Sequence, residues 1–394
     1  MRALAVLIAV LAGCPRTGPV GPAPEPIDAG VDALDAAASP DAAPPAIEPR
    51  VTWQHVDHPD VVRTQPPLGA GAWRIHLIDV GTGLAILVEG ADFALLYDAG
   101  TGDPSERPLR VVAYLTAVLG ASGDGQCSVD GVGAKGKRRL DHVILSHPHL
   151  DHASALELVL HCFEIGALWD SGRVNHTVFY REVIRGVAKA IGTSYHTAAP
   201  PPQDRTIVVK GEAIAIPSGV AWSSFSEGDE VGLGARARFT LLHAEAKAHS
   251  DPNQNSIVVA VELGATRLLL TGDAESGPRA DPSAAVGDVE AHLLDRFAAL
   301  IDADILQVGH HGSKTSSRAA FLAAVSPTLA LVSAGPKQYR RVRLPDEEVI
   351  AALAATGATI LRTDRHDDAC PAKARLGAAK GPGGCDSWIV TVRE

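Results

Sequence analysis

Apolar residues follow two spacings along the chain. Short apolar runs end abruptly in Asp, His or Gly at residues 74–81 (RIHLIDVG), 93–100 (FALLYDAG), 142–149 (HVILSHPH), 266–273 (TRLLLTGD) and 304–312 (DILQVGHHG). Runs this short, bounded by Gly, read as buried strands. Between several of them the apolar positions take the 3.6-residue spacing of amphipathic helices, at residues 109–120, 154–163, 181–192, 289–301 and 347–357. Strands mixed with helices in this way predict a layered α/β fold.

The polar residues that stop the strands form a pattern of their own. A single Asp at a strand end is usually a turn former or a cap. Asp79, Asp98, His147, Asp273 and His310 all stand at such ends, and metal-seeking side chains placed this way predict that the strand ends meet along one edge. The densest group is SHPHLDH, residues 146–152. In extended chain, alternate residues share a face, so His147 and His149 can hold one ion together. Asp151 and His152, at the turn into the next helix, can hold a second. Imidazole and carboxylate suit zinc, and also manganese or iron.

Composition narrows the class. The 394 residues are 46% hydrophobic and 21% charged, which suits a globular protein, and the formal net charge of -11 argues against a chain that coats nucleic acid. The window 305–344 departs from that average. It holds no Asp or Glu but does hold Lys314, Arg318, Lys337, Arg340, Arg341 and Arg343, so a local basic face is expected.

The first residues read as an export signal. Arg2 precedes an apolar run, residues 3–12, that is too short to span a bilayer. Leu11-Ala12-Gly13-Cys14 resembles a bacterial lipobox, which would make Cys14 the lipidated first residue of an exported lipoprotein, periplasmic or at the cell surface. Residues 15–50 are rich in Pro, Ala, Gly and Asp and have no apolar periodicity, the composition of a disordered tether. No further segment is long and apolar enough to cross a membrane. In an oxidising compartment the remaining cysteines are expected to pair, Cys370 with Cys385 across a Gly, Ala and Lys rich loop, and Cys127 with Cys162.

With HxHxDH in place, the sequence resembles the metallo-β-lactamase superfamily. DVGTG at 79–83, YDAG at 97–100, NQNSIVVAVELGATRLLLTGD at 253–273 and ILQVGHHGSKTSS at 305–317 follow in the order of its ComEC-like branch, the hydrolase domain of a competence DNA-uptake protein. The resemblance covers roughly residues 70–394. It implies an αββα sandwich of two mixed β-sheets with helices on the outer faces, forming a hydrolase domain at 51–394. It further implies two metal ions, zinc or manganese, held by His147, His149, Asp151, His152, Asp273 and His310. Asp273 would bridge them, and His311 would lie beside them as ligand or proton donor, the two histidines exchanging roles if the register shifts by one. Asp79 and Asp98 would contact the ligating imidazoles from behind. The third histidine of the first ion has no clear counterpart: His243, His249 and the Asn253-Gln254-Asn255-Ser256 loop are the candidates. Leu84 stands where ComEC-like chains commonly carry an acidic residue, and Leu344-Pro345 where they often have His-Pro. His76, His142 and His161 lie in or beside apolar elements and read as structural.

Two ions bridged by a carboxylate would lower the pKa of a shared water, with Asp151 positioning it. No nucleotide cofactor is expected, for neither a P-loop nor a dinucleotide fingerprint is present. Asn253, Asn255, Ser256, Ser313, Lys314, Thr315 and Ser316 are the expected substrate contacts. Hydroxyls and an ammonium group beside His310 suit a phosphate or phosphodiester, in line with the nuclease or phosphodiesterase activity, possibly on DNA, that the resemblance implies. The alternatives are hydrolysis of a lactone or β-lactam, and a surface-anchored binding module with a structural metal.

Overall fold

The fold is a computed structural model that describes residues 50–101, 109–339, 341–367, 369–377 and 384–394. Cys14 and nearly all of the expected tether lie outside the described residues. Pro49–Glu394 form one compact unit.

Two mixed sheets make its centre. The nine-stranded sheet runs in the order Val51–Val56, Ser387–Arg393, Ala72–Leu77, Ile86–Glu89, Ala94–Tyr97, Arg139–Leu145, Glu164–Asp170, Ser194–Thr197, Ala221–Ser224. It is antiparallel as far as Ala94–Tyr97 and parallel from there on. The seven-stranded sheet runs Glu230–Gly234, Ala237–His243, Val258–Leu263, Thr266–Leu270, Ile305–Gln307, Leu329–Val332, Thr359–Arg362. There too the antiparallel half gives way to a parallel half, beginning where Thr266–Leu270 meets Ile305–Gln307.

Strand alternation sorts the side chains into three apolar layers. Ile86 and Val88 join Phe239, Leu241, Val259 and Val261 between the sheets. Leu87, one residue out of phase, faces the other way with Val143, Val159 and Ile184, under the helices Arg110–Leu119, Leu156–Cys162 and Val178–Lys189. On the far side Leu242, Val258 and Leu269 pack against Leu293, Leu322 and Leu353, from helices Asp288–Ile301, Ala319–Val325 and Glu347–Ala355. The architecture is therefore the αββα sandwich. All five expected helices are present, and Ala319–Val325 is an addition that its short apolar run does not distinguish from a strand.

Both expected disulfides form: Cys127 with Cys162 and Cys370 with Cys385, each with Cα atoms 5.7 Å apart. Among the described residues no helix is long and apolar enough to cross a membrane.

Candidate metal centre

Strand Arg139–Leu145 stops at Ser146, and the chain then turns through His147, Pro148 and His149 into the short helix Leu150–Ala153. The expected single helix over 154–163 is thus preceded by a separate turn that carries Asp151 and His152. His147 Nε2 lies 2.9 Å from His149 Nδ1. Asp98, just past strand Ala94–Tyr97, fixes this turn from behind. One of its oxygens accepts the Ser146 N–H and the other the Ser146 hydroxyl, both at 2.7 Å, and His152 Nδ1 also donates to Oδ2 at 2.7 Å. With Nδ1 engaged, His152 turns Nε2 inward as a potential ligand.

Asp273 enters from the end of strand Thr266–Leu270. Gln307 holds its turn, taking the N–H groups of Thr271 and Gly272 on Oε1 at 2.7 Å each. Asp273 Oδ2 is 3.1 Å from His152 Nε2, 3.7 Å from Nε2 of both His310 and His311, and 3.9 Å from His147 Nε2. Its Oδ1 is buried without a hydrogen-bond partner. A buried carboxylate oxygen left in that state is costly unless a cation completes it.

The Gly309–Gly312 turn separates its two histidines, for His310 and His311 both have left-handed backbone, φ 47° and 55°. His311 is buried, donates from Nδ1 to the Ser333 carbonyl at 2.8 Å, and brings Nε2 to 3.3 Å from His152 Nε2 and 3.7 Å from Asp151 Oδ2. His310 instead turns Nδ1 to Thr315 Oγ1 at 2.7 Å and Glu275 Oε1 at 2.9 Å. Of the two, His311 faces Asp151 and His152, the arrangement that a one-residue shift allows, while Nε2 of both lies equally far from Asp273 Oδ2. Ligand atoms of His147, His152 and Asp273 lie within 4.8 Å of one another, as do those of Asp151, His152 and His311. Two donor groups that share His152, rich in imidazole and carboxylate, fit a pair of divalent cations.

Asp151 is held by backbone packing as well as by its side chain. Leu84 N donates to the Asp151 carbonyl at 2.9 Å. A Cβ on Gly100 would lie 1.7 Å from that oxygen, and one on Gly83 2.6 Å, so two glycines of the DVGTG and YDAG segments are required for the close approach. The Asp151 side chain accepts the hydroxyl of Tyr339, which lies in the strand Gln338–Tyr339.

Burial alone would raise the carboxyl of Asp273, but the imidazoles of His152, His311 and His310 outweigh it and hold that group well below the usual range. Asp151 behaves alike, with burial overcome by His152 and His311. Burial, then the charge on His152, pushes His147 well down, which keeps it in the neutral form a cation requires. His152 is driven up, for Asp273 and Asp98 prevail over its burial.

Several expected contacts fall elsewhere. Asp79 does not reach the imidazoles: it accepts the backbone N–H groups of Gly81 at 2.9 Å, Gly384 at 2.5 Å and Asp386 at 3.0 Å, and so ties the DVGTG turn to the C-terminal segment. Lys314 pairs with Glu348 at 2.7 Å. Ser316 is buried and donates to the Gly309 carbonyl, Ser313 accepts from Arg279, and Thr315 serves His310. A turn this tight consumes its own hydroxyls. Asn255 donates to the carbonyls of Glu245 and Lys247, and Asn253 to Glu275. Ser256 does reach the cluster: its hydroxyl is 3.5 Å from His147 Nδ1 and accepts the Asp273 N–H at 3.3 Å. His243 donates to the Ser256 carbonyl and His249 pairs with Glu245. Both line a cavity of about 770 Å³ with Glu227, Glu245 and His292, which the cluster residues do not line. His76, His142 and His161 contact Tyr114, Trp169 and Asp124. Ser146, Glu275, Gln307 and Tyr339 escaped the sequence reading. Only position relative to HxHxDH, TGD and the basic segment marks them.

Residues 78–335 match the model of the metallo-beta-lactamase superfamily. The chain is 28% identical over 280 residues to the uncharacterized protein YcaI of Escherichia coli (strain K12), an alignment spanning 70% of this chain and 27% of that one. It is 27% identical over 296 residues to ComE operon protein 3 of Bacillus subtilis (strain 168), spanning 74% and 32%. The chain thus spans about a third or less of the length of these relatives. Among solved structures it is similar to the metallo-beta-lactamase fold protein YhfI from Bacillus subtilis, with a TM-score of 0.38, 12% identity, and coverage of 74% of this chain and 95% of that one.

Proposed function

Since the chain belongs to the metallo-β-lactamase superfamily of metal-dependent hydrolases, we propose that it hydrolyses a phosphodiester or related phosphate-containing substrate at a centre for two divalent ions, zinc in the first place. The observation that carries this reading is the meeting of His147, His149, His152, His311, Asp151 and Asp273, whose Oδ2 faces the imidazoles while its buried Oδ1 has no hydrogen-bond partner. His147, His149 and Asp273 would hold one ion, Asp151, His152 and His311 the other, with Asp273 between them. Bound there, such ions acidify a water and neutralise charge on substrate oxygens.

The protein's own groups do the rest. Asp98 orients His152, the Ser333 carbonyl orients His311, and Ser256 sets the backbone of Asp273. Tyr339 presents a hydroxyl at Asp151, where it can donate to Asp151 or to a substrate oxygen. An anionic substrate is favoured by the basic hairpin that carries Tyr339. Lys337 and Arg341 are exposed there, and Lys337 Nζ lies 4.7 Å from the Tyr339 ring centroid. The resemblance of residues 253–273 and 305–317 to the ComEC-like branch points to the same substrate class, DNA included.

The test uses the full chain, with bound metal measured and a generic phosphodiester, nitrocefin and a lactone assayed beside His149→Ala and Asp273→Ala. Phosphodiester turnover lost in both variants supports the reading. Turnover of nitrocefin or the lactone alone moves the substrate class, and metal bound without turnover of any substrate makes the domain a binding module.

The same reading makes residues 1–14 an export signal, Cys14 the lipid anchor, 15–50 a tether and 51–394 the hydrolase domain, at the periplasmic or outer cell surface. Incorporation of a labelled fatty acid that disappears in Cys14→Ser is the expected outcome, and its persistence overturns the anchor.

A further inference from the structure

A second group of metal-seeking side chains lies outside this centre. His55 stands on the edge strand Val51–Val56, His366 in the turn after strand Thr359–Arg362, and Asp386 directly before strand Ser387–Arg393. One ligand atom from each falls within 4.8 Å of the others. From this convergence we infer that His55, His366 and Asp386 form a further divalent-metal site, of zinc class, which joins the edge strand to the C-terminal segment.

The donor set is two imidazoles and one carboxylate, the composition of three-ligand zinc sites that leave a fourth position for water. Asp386 Oδ1 lies 2.9 Å from His55 Nε2 and 2.6 Å from His366 Nδ1. Tetrahedral ligands at zinc bond lengths stand about 3.3 Å apart, so each of the two Asp386 contacts would open by less than about 1 Å to admit the ion. The Asp386 side chain is 2% exposed, whereas those of His55 and His366 are 31% and 61% exposed. The carboxylate is thus built into the fold while the imidazoles leave an entry path.

Contacts around the three groups already orient them. The His366 N–H donates to Asp386 Oδ2 at 2.6 Å, and the Asp386 N–H is fixed on Asp79 at 3.0 Å. The Trp388 ring packs 4.8 Å from that of His55, centroid to centroid, while its Nε1 is anchored on the Arg362 carbonyl. Such outer contacts are what hold a ligand ready for an ion. The surroundings are also acidic. Asp367, next to His366, is buried and its Oδ1 has no hydrogen-bond partner. The disulfide at Cys385 adjoins Asp386, so one short segment would carry a covalent and a metal crosslink.

The test uses the full chain with His147→Ala, His152→Ala and Asp273→Ala, which take ligands from both donor groups of the first centre. After zinc loading and dialysis, mass spectrometry should find one ion per chain, and cobalt in its place should give tetrahedral visible absorption. Adding His55→Ala and His366→Ala should abolish both. No retained zinc in the folded triple variant, or zinc unchanged in the fivefold variant, overturns the site. Should the triple variant not fold, His366→Ala in the otherwise natural chain decides: its zinc content should fall by one ion per chain, and undiminished content overturns the inference.

Discussion

The Asp98 carboxylate and the His152 imidazole are joined at 2.7 Å between Oδ2 and Nδ1, both fully buried. This pair sets which nitrogen of His152 faces Asp273 and His311. Asp98→Asn keeps the volume but removes the anionic acceptor. Metal affinity is expected to fall by about 10- to 100-fold, read by competition with a zinc chelator, with about 1–3 kcal/mol lost in denaturant unfolding.

Tyr339→Phe removes a hydroxyl that donates to Asp151 and leaves packing almost unchanged. Turnover is expected to fall about 10-fold or more while metal content and the melting temperature stay the same. A fall in metal content would mean that Tyr339 orients a ligand rather than meeting substrate.

The two histidines of the Gly309–Gly312 turn should separate cleanly. His311→Ala removes an imidazole that faces Asp151 and His152, so one ion and at least about 100-fold in turnover should be lost. His310→Ala, which breaks contacts to Glu275 and Thr315, should retain both ions. Metal stoichiometry of the two variants is the measurement, and the reverse result would restore His310 to the second site.

Gly100→Ala places a methyl group 1.7 Å from the Asp151 carbonyl oxygen. Overlap on that scale is expected to cost about 3 kcal/mol or more, visible as a lower melting temperature and reduced metal content. A variant of natural stability would show that the turn at Asp151 yields easily.

Glu290 gives a pH signature away from the metal centre. Burial raises its carboxyl from 4.5 to about 7, against hydrogen bonds from the backbone N–H groups of Ser317 and Arg318. Between those two values the folded chain keeps a proton that the unfolded chain has released. This contribution to stability is full below 4.5 and is lost as pH rises through 7, an effect of up to about 3 kcal/mol. The stability of the natural chain relative to Glu290→Gln, followed by chemical unfolding from pH 4.5 to 8, should decline across that window. A pH-independent difference would rule it out.

Much of this protein is readable in one dimension. The strand ends at Asp98, His147 and Asp273 follow from apolar runs that stop at polar residues, and the HxHxDH spacing brings His147 and His149 to 2.9 Å, because those contacts depend on a few neighbouring residues. The pairing of the four described cysteines also followed from parity and loop length. Tertiary structure decided what local pattern cannot encode. His310 and His311 are adjacent and chemically identical, and the carbonyl of Ser333 and the carboxylate of Glu275 sort them. Lys314 pairs with Glu348, and Asp79 serves a segment some 300 residues away. Spacing shows which residue types can meet. Long-range packing fixes the nitrogen, the oxygen and the direction, since hydrogen bonds to partners far along the chain form only once the layers have closed.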